Sequence, residues 1–213
     1  MTATLLFLLM LVVVTAVHEL GHLAAATWRR TQVTRVVVGR GTRLAQFRLG
    51  GIDFELGLVP VGGRVDFVMP QSGASTAIIA VGGAAANLLF GFLSFWGAAL
   101  AFGVPVVRLG VVVTSPFAYA VSATAMWLWA YPAGAVAAVF HGDLSVLATA
   151  SGALRRLLAV SGLPAALHSL AALSTIWAAL NMLPIPGLGT DGWKFLVALR
   201  SLIWQSRVEE DRA

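Results

Sequence analysis

Four long apolar stretches constrain the fold of this chain more than any other feature. A helix needs about 20 consecutive, mostly apolar residues to cross a bilayer. The stretches cover residues 4–27, 75–104, 117–140 and 163–183. Charged residues make up 11% of the 213 residues, whereas soluble domains carry about 25%. The sequence therefore predicts an all-α, polytopic membrane helix bundle, and we expect residues 1–213 to form a single integral-membrane domain.

The segment between the first two apolar stretches has a different pattern. RLAQFRL (residues 43–49) and IDFELGL (52–58) alternate apolar and polar side chains with a period of two, and two glycines separate them. This alternation is typical of a hairpin with one half-buried face. We expect a small membrane-associated β-hairpin region over about residues 35–69. Residues 193–204 have helical spacing with a polar side, which predicts a helix in the membrane interface.

The basic residues are concentrated beside the first apolar stretch. Seven of the thirteen arginines lie between Arg29 and Arg64, and basic residues exceed acidic ones by 14 to 9. Such an excess marks the cytosolic side of a multi-pass protein of the cell membrane, so we expect contact with lipid and not with nucleic acid. The single lysine against thirteen arginines is compatible with a GC-rich bacterial genome. Because cysteine is absent, disulfides and thiolate metal sites are excluded.

The segment HELGH puts three ionisable side chains inside the first apolar stretch. On a helix, His18 and His22 lie on the same face, so both imidazoles can reach one metal ion. Glu19 lies about 100° around the helix, close enough to orient a water molecule without being a ligand. Each ionisable group at membrane depth costs about 2.5 to 3.5 kcal/mol on insertion scales, which favours a functional role over satisfied core residues.

A catalytic zinc site usually has three protein ligands, so one more must come from elsewhere. Most other acidic residues belong to the hairpin region, to a polar connection or to the tail, which leaves Asp191. It follows NMLPIPGLGT, in which two prolines end a helix and the glycines let the backbone turn back toward the bundle. Asp191 is the candidate third ligand, although an ordinary turn or helix N-cap aspartate would fit the same pattern.

Four segments together resemble the site-2 protease family of intramembrane zinc metalloproteases. They are HELGH, VPVGGRV after the two alternating segments of the hairpin region, GGAAAN in the second apolar stretch, and NMLPIPGLGTDG at the end of the fourth. The resemblance implies that His18, His22 and Asp191 bind one Zn²⁺ per chain and that Glu19 is the catalytic base. It also implies that Asn87 of GGAAAN lines the substrate site near the metal.

The resemblance further implies a zinc metalloendopeptidase that cleaves peptide bonds in or near transmembrane segments. Its expected substrates are single-span membrane proteins or signal peptides. A substrate helix must unwind before cleavage, and an extended segment can pair with the edge of the hairpin, where Phe47 and Phe54 would contact it. We expect the active site to open toward the cytoplasm, because His22 lies only about seven residues, or roughly 10 Å, from the basic boundary at Arg29.

Two features depart from the family pattern. The family places its aspartate three residues beyond the second proline, whereas Asp191 lies five residues beyond Pro186, so Gly189 and Thr190 must loop out. In addition, no stretch is long enough to be the PDZ domain that many relatives carry. We therefore expect a short form in which the membrane core, the hairpin region or an adaptor protein selects the substrate.

The middle of the chain leaves two topologies open. If Arg29 is cytosolic, residues 105–162 must begin and end outside. Residues 117–140 then either lie in the outer interface or pair with 144–162 as a hairpin or re-entrant unit.

Two other functions remain as alternatives. A catalytically silent membrane scaffold of related fold would not need Glu19 beside two histidines. A metal or proton transporter would be expected to spread its ligands over several helices along a path. The remaining histidines of this kind, His141 and His168, fit connection and packing roles better.

Overall fold

The computed structural model describes residues 2–68, 72–103, 115–130, 162–186 and 190–210. In chain order the elements are α1 (Thr2–Trp28), β1 (Val33–Leu49), β2 (Ile52–Phe67), α2 (Gly73–Phe102), α3 (Pro116–Ala125), a π-helical turn (Met126–Ala130), α4 (Leu163–Met182) and α5 (Asp191–Glu210). These residues are mostly helical and contain one small antiparallel sheet. The predicted fold class, helical with a small β-hairpin region, is confirmed.

Three helices in the described part of the chain are long and apolar enough to cross a membrane. They are Thr4–Trp28, Gly73–Phe102 and Leu163–Met182, with 25, 30 and 20 residues. They coincide with the first, second and fourth apolar stretches, which supports a membrane protein. The third stretch begins as α3, which has 10 residues, and continues into the π-helical turn. Residues 131–161 lie outside the described residues, so the two topologies for the middle of the chain stay open.

The hairpin region turns where the sequence predicts. Gly50 and Gly51 both have positive φ, at 59° and 83°, as the tight turn of a two-residue hairpin requires. The strands also bend, so that β1 pairs on both of its sides. Val36 lies opposite both Val65 and Phe54, while Phe47 lies opposite Phe54. Phe54 therefore has paired neighbours on two sides, whereas Phe47 lies in an edge segment of the described sheet.

Contacts divide the chain into two compact units. One contains Met1–Met10 and Leu88–Trp177, and the other contains Leu11–Asn87 and Ala178–Ala213. In the first unit, Phe95 and Tyr119 form a buried core with alanines of α2, α3 and α4. Every site residue proposed from the sequence belongs to the second unit, and the single-domain expectation stays a prediction.

Small residues bring α1 and α2 together in the second unit. A Cβ placed on Gly82 would lie 2.7 Å from both the Ala25 Cβ and the Gly21 carbonyl oxygen. Close backbone contact through small residues is common between membrane helices. Near this contact, Ala26, Val36 and other apolar residues of α1, the hairpin region and α2 form a buried core. The end of α1 that carries HELGH is thus held against the start of α2 and the base of the hairpin.

Candidate active site

Three predicted metal ligands meet at one point in the second unit. The Nε2 atoms of His18 and His22 lie 2.8 Å and 3.1 Å from the Asp191 Oδ2 atom, and 3.2 Å from each other. All three residues are buried. With zinc–ligand distances of about 2.0 to 2.2 Å, neighbouring ligands of a tetrahedral site lie about 3.3 Å apart. The three atoms therefore form one face of a site of that size.

The tautomer of His22 follows from its second ring nitrogen. His22 Nδ1 lies 2.7 Å from the Ile79 carbonyl oxygen, which can only accept, so Nδ1 carries a hydrogen and donates it. In the neutral ring, Nε2 then presents a lone pair toward the carboxylate oxygen of Asp191, which is also an acceptor. Two acceptors at this distance need a cation between them, either a further proton or a metal ion. Two imidazole nitrogens and a carboxylate oxygen are a donor set that zinc accepts.

Asn87 lies against the other nitrogen of the His18 ring. Its Nδ2 atom lies 3.3 Å from His18 Nδ1, and the side chain is fully buried. The two ends of an asparagine amide can exchange places, so its oxygen can accept a hydrogen from Nδ1. Nε2 would then be left to bind a metal, in the usual arrangement of a ligand histidine. The substrate role predicted for Asn87 stays a prediction, and the geometry adds a role in orienting His18.

Asp191 is the first residue of α5, and its two oxygens have different partners. Oδ2 faces the histidines, whereas Oδ1 accepts a hydrogen bond from Lys194 Nζ at 3.0 Å. Burial raises the pKa of the Asp191 carboxyl, but the hydrogen bonds to His18 and His22 outweigh it and hold the pKa well below its ordinary value. The carboxylate is therefore in the form that a metal ligand requires.

Lys194 is the residue that sequence reasoning missed. It is the only lysine in the chain, and the helical spacing of residues 193–204 predicts for it only a place on the polar side of that helix. The i, i+3 spacing from Asp191 could have identified it, since residues three apart on a helix are neighbours. By holding Oδ1, Lys194 leaves Oδ2 as the oxygen that faces the histidines.

The turn before α5 positions Asp191. The Thr190 hydroxyl donates to the Leu183 carbonyl oxygen at 2.6 Å and accepts from the Ile185 N–H at 3.3 Å. A Cβ on Gly192 would overlap the Met182 carbonyl group, so glycine lets α5 start directly against the end of α4. Of the two residues expected to loop out, Gly189 lies outside the described residues, whereas Thr190 ties the turn together.

Glu19 lies beside the group formed by His18, His22 and Asp191 but is not part of that group. Its side chain is 3% exposed, and within the described ranges no residue donates a hydrogen bond to its carboxylate. The cover comes from β2: a Cβ on Gly63 would lie 2.6 Å from Glu19 Oε1. One helical turn earlier, the Thr15 hydroxyl donates to the Pro60 carbonyl oxygen at 3.3 Å. Residues 60–63 thus run along the α1 face that carries Glu19.

Comparison with known proteins identifies the family. The model of peptidase family M50 matches residues 6–212. This chain belongs to peptidase family M50. A protein from Synechocystis sp., described by its name as a candidate zinc metalloprotease, is 29% identical over 119 residues. That match covers 48% of this chain and 32% of the relative, so the chain spans about a third of the relative's length. The predicted resemblance to the site-2 protease family is confirmed.

In this member of family M50, the second glycine of GGAAAN makes room for the two histidines of HELGH. A Cβ on Gly83 would lie 2.5 Å from His22 Nε2 and 2.7 Å from His18 Nε2. Such distances are too short for any real contact, so only glycine allows both rings their observed places. This steric requirement gives a physical reason for glycine at position 83, in a segment that resembles the family.

The two phenylalanines of the hairpin region differ in their surroundings. Their rings stack with centroids 5.1 Å apart. Phe54 packs against the buried core of the second unit, whereas Phe47 is 59% exposed. Substrate contact stays a prediction for both, and the edge position of Phe47 supports it better than the interior position of Phe54.

Proposed function

We propose that this M50 peptidase is an intramembrane zinc metalloendopeptidase that cleaves in or near the transmembrane segments of membrane-anchored substrates. One observation carries the proposal: His18 and His22 of α1 and Asp191 of α5 converge within 3.2 Å of one another, beside a buried Glu19. The helix α1 is long and apolar enough to cross a membrane. The donor set fits one Zn²⁺ per chain, since catalytic zinc sites usually have three protein ligands and keep a fourth position for water or substrate.

The chemistry divides between the metal and the protein. A bound zinc ion would act as a Lewis acid on the peptide carbonyl and make water more acidic. Glu19 is placed to accept a proton from the attacking water while the water oxygen bonds to the carbonyl carbon. Glu19 then gives that proton to the leaving amine as the carbon–nitrogen bond breaks. Asn87 and the Ile79 carbonyl keep the histidine rings in place, and Lys194 holds the unused oxygen of Asp191.

The surroundings of the site support a substrate that arrives from the membrane in extended form. A single-span membrane protein or a leftover signal peptide could unwind and pair with an edge of the hairpin region. The basic loop that follows α1 supports an active site open toward the cytoplasm. An adaptor protein could assist in presenting the substrate.

A transporter or a silent scaffold is supported less well. The transporter reading needs further ligands along a path, but His168 belongs to the other unit and hydrogen-bonds to the Tyr119 hydroxyl at 2.8 Å. His141 lies outside the described residues. A scaffold would have no use for a buried carboxylate next to two histidines, whereas a hydrolase requires one.

The direct test is Glu19→Gln in the full chain, reconstituted in vesicles with a single-span test protein. Because general-base catalysis contributes about 10²- to 10⁴-fold, we expect cleavage to fall by that factor while zinc remains at about one ion per chain. Asp53→Asn is the matched control, since among the described residues the Asp53 side chain pairs with the exposed Arg48 at 3.8 Å and takes no part in the site. Undiminished cleavage by Glu19→Gln would refute the proposal. The same variant in native membranes should trap and accumulate the natural substrate.

A further inference from the structure

The hairpin region contains a groove of about 430 Å³ that the mechanism does not use. It opens between the bent strands β1 and β2. Four of the residues that line it are charged. Its lining residues are Val37, Gly39, Arg40, Gly41, Arg43, Glu55, Leu56, Gly57, Gly63 and Arg64. Three arginines against one glutamate make it a cationic groove.

Glycines fix the position of Arg40 in this groove. Gly39 and Gly41, on either side of it, have φ of 85° and 81°, a conformation that other residues rarely adopt. A Cβ on Gly57 would lie 2.7 Å from the backbone N and O atoms of Arg40, and a Cβ on Gly62 would lie 3.0 to 3.3 Å from its guanidinium. The Arg40 guanidinium thus lies against the backbone of Gly62, where no side chain is present.

The other charges of the groove already have partners. Glu55 lies 3.4 Å from Arg43 and 3.6 Å from Arg35. Arg64 pairs with Asp66 at 3.2 Å. In the described part of the chain, no carboxylate lies within ion-pair distance of Arg40. The groove therefore presents a guanidinium that is available to an anionic ligand.

The groove ends at the candidate active site. Gly63 lines it and is also the residue whose Cβ would lie 2.6 Å from Glu19 Oε1. Gly62, under the Arg40 guanidinium, is its neighbour, and successive residues of a strand are about 3.3 Å apart. A ligand on Arg40 would therefore lie within a few residues of a peptide bond attacked beside Glu19.

We propose that this groove binds a carboxylate side chain of the substrate, close to the cleaved bond, with Arg40 as its main partner. The enzyme would accordingly prefer substrates with Asp or Glu at that place. Guanidinium and carboxylate match in shape and charge and can form paired hydrogen bonds. The inference rests on the proposed function. A lipid headgroup is the less fitting ligand, since it would occupy the approach to Glu19.

The test uses single-span test proteins that differ only in carrying Glu or Gln at one of six positions around the cleavage site. At one position, wild-type protein should cleave the Glu form about twofold to fivefold more efficiently, through a lower KM, as expected for an exposed ion pair. Arg40→Gln should abolish that preference, Arg40→Lys should keep part of it, and Arg40→Glu should reverse it, so that the Gln form is cleaved more efficiently. Zinc content should be unchanged in all three.

Arg48→Gln is the matched control, because Arg48 is exposed, pairs with Asp53 and does not line the groove. It should keep the wild-type preference. Equal cleavage of the Glu and Gln forms at all six positions would overturn the inference. So would an Arg40→Gln defect that is equal for both forms and occurs only in vesicles containing phosphatidylglycerol, since that result would assign the groove to lipid.

Binding separates a failure of this inference from a failure of the proposed function. Binding of the same test proteins to the Glu19→Gln variant requires the groove but no catalysis. A preference for the Glu form in binding, lost in the Glu19→Gln, Arg40→Gln double variant, supports the groove even if wild-type protein cleaves nothing. In that case the proposed function would be refuted, whereas the carboxylate-binding site would be supported. Binding without any preference overturns the site.

Discussion

At the scale of single residues, the absence of side chains matters as much as their presence. Gly83 leaves the space that both ligand imidazoles occupy, and Gly192 lets Asp191 start its helix against the end of α4. Each of these glycines belongs to a segment that resembles the family. Their role is therefore steric: they allow backbones and rings to approach to distances that a methyl group would prevent.

Gly83→Ala should displace the histidine rings and weaken metal binding. Overpacking a tight site costs about 1 to 3 kcal/mol, so we expect zinc affinity to fall by about fivefold or more, with cleavage reduced in parallel. Gly97→Ala is the control in the same helix, because a Cβ there would meet no atom of another described element within 4 Å. It should leave zinc and cleavage unchanged, since alanine is the better helix former. Equal zinc affinity in the two variants, measured by competition with a chelator, would show that the rings are not confined as described.

Much of the site could be predicted at this scale, because it is encoded locally. The spacing of His18 and His22 and the position of Glu19 follow from helical periodicity alone. The tautomer of His22 could not be predicted, because it depends on the Ile79 carbonyl in a different helix. The Asp191–Lys194 pair depends on where the last helix begins: the spacing of residues 193–204 predicts a start at Trp193, whereas α5 starts at Asp191.

At the scale of elements, the strand pairing of the hairpin region differs from that of a simple two-stranded hairpin, because β1 pairs with two different parts of β2. Alternation and the glycine pair predicted two strands and their turn, because both signals are short-range. The bends at Gly39–Gly41 and Gly57–Gly62 place Val36 between Val65 and Phe54. This pairing joins residues far apart in the sequence, so the alternation of apolar and polar residues does not predict it. Those bends also create the groove around Arg40.

Proline substitutions can separate substrate binding from hairpin stability. In an edge strand, proline removes a donor without breaking the ladder if its N–H faces outward. Successive N–H groups of a strand point to opposite sides, so the N–H of either Gln46 or Phe47 faces outward. At least one of the variants Gln46→Pro and Phe47→Pro should therefore keep its zinc but cleave substrate several-fold more slowly. Phe54→Pro should instead disrupt the sheet, because Phe54 is paired on two sides. Full cleavage in both edge variants would exclude strand addition at this edge.

At the scale of the whole molecule, family membership and three candidate spans agree with an M50 peptidase in a membrane. Those spans could be predicted because apolar length is a direct physical requirement of the bilayer. The orientation in the membrane, the single domain and the partners stay predictions. The path of residues 131–161 and the place of Gly189 lie outside the described residues.

The measurement that tests the central claim most directly is the zinc content of purified protein and of single ligand variants. We predict about one zinc per chain in the wild type, and loss of that zinc in His18→Ala and in His22→Ala. Asp191→Ala should bind zinc more weakly because one of three protein ligands is gone. His168→Ala is the control, since His168 hydrogen-bonds to Tyr119 in the other unit and should keep about one zinc per chain. Zinc content that is unchanged in both His18→Ala and His22→Ala would contradict the metal site and, with it, the proposed peptidase mechanism.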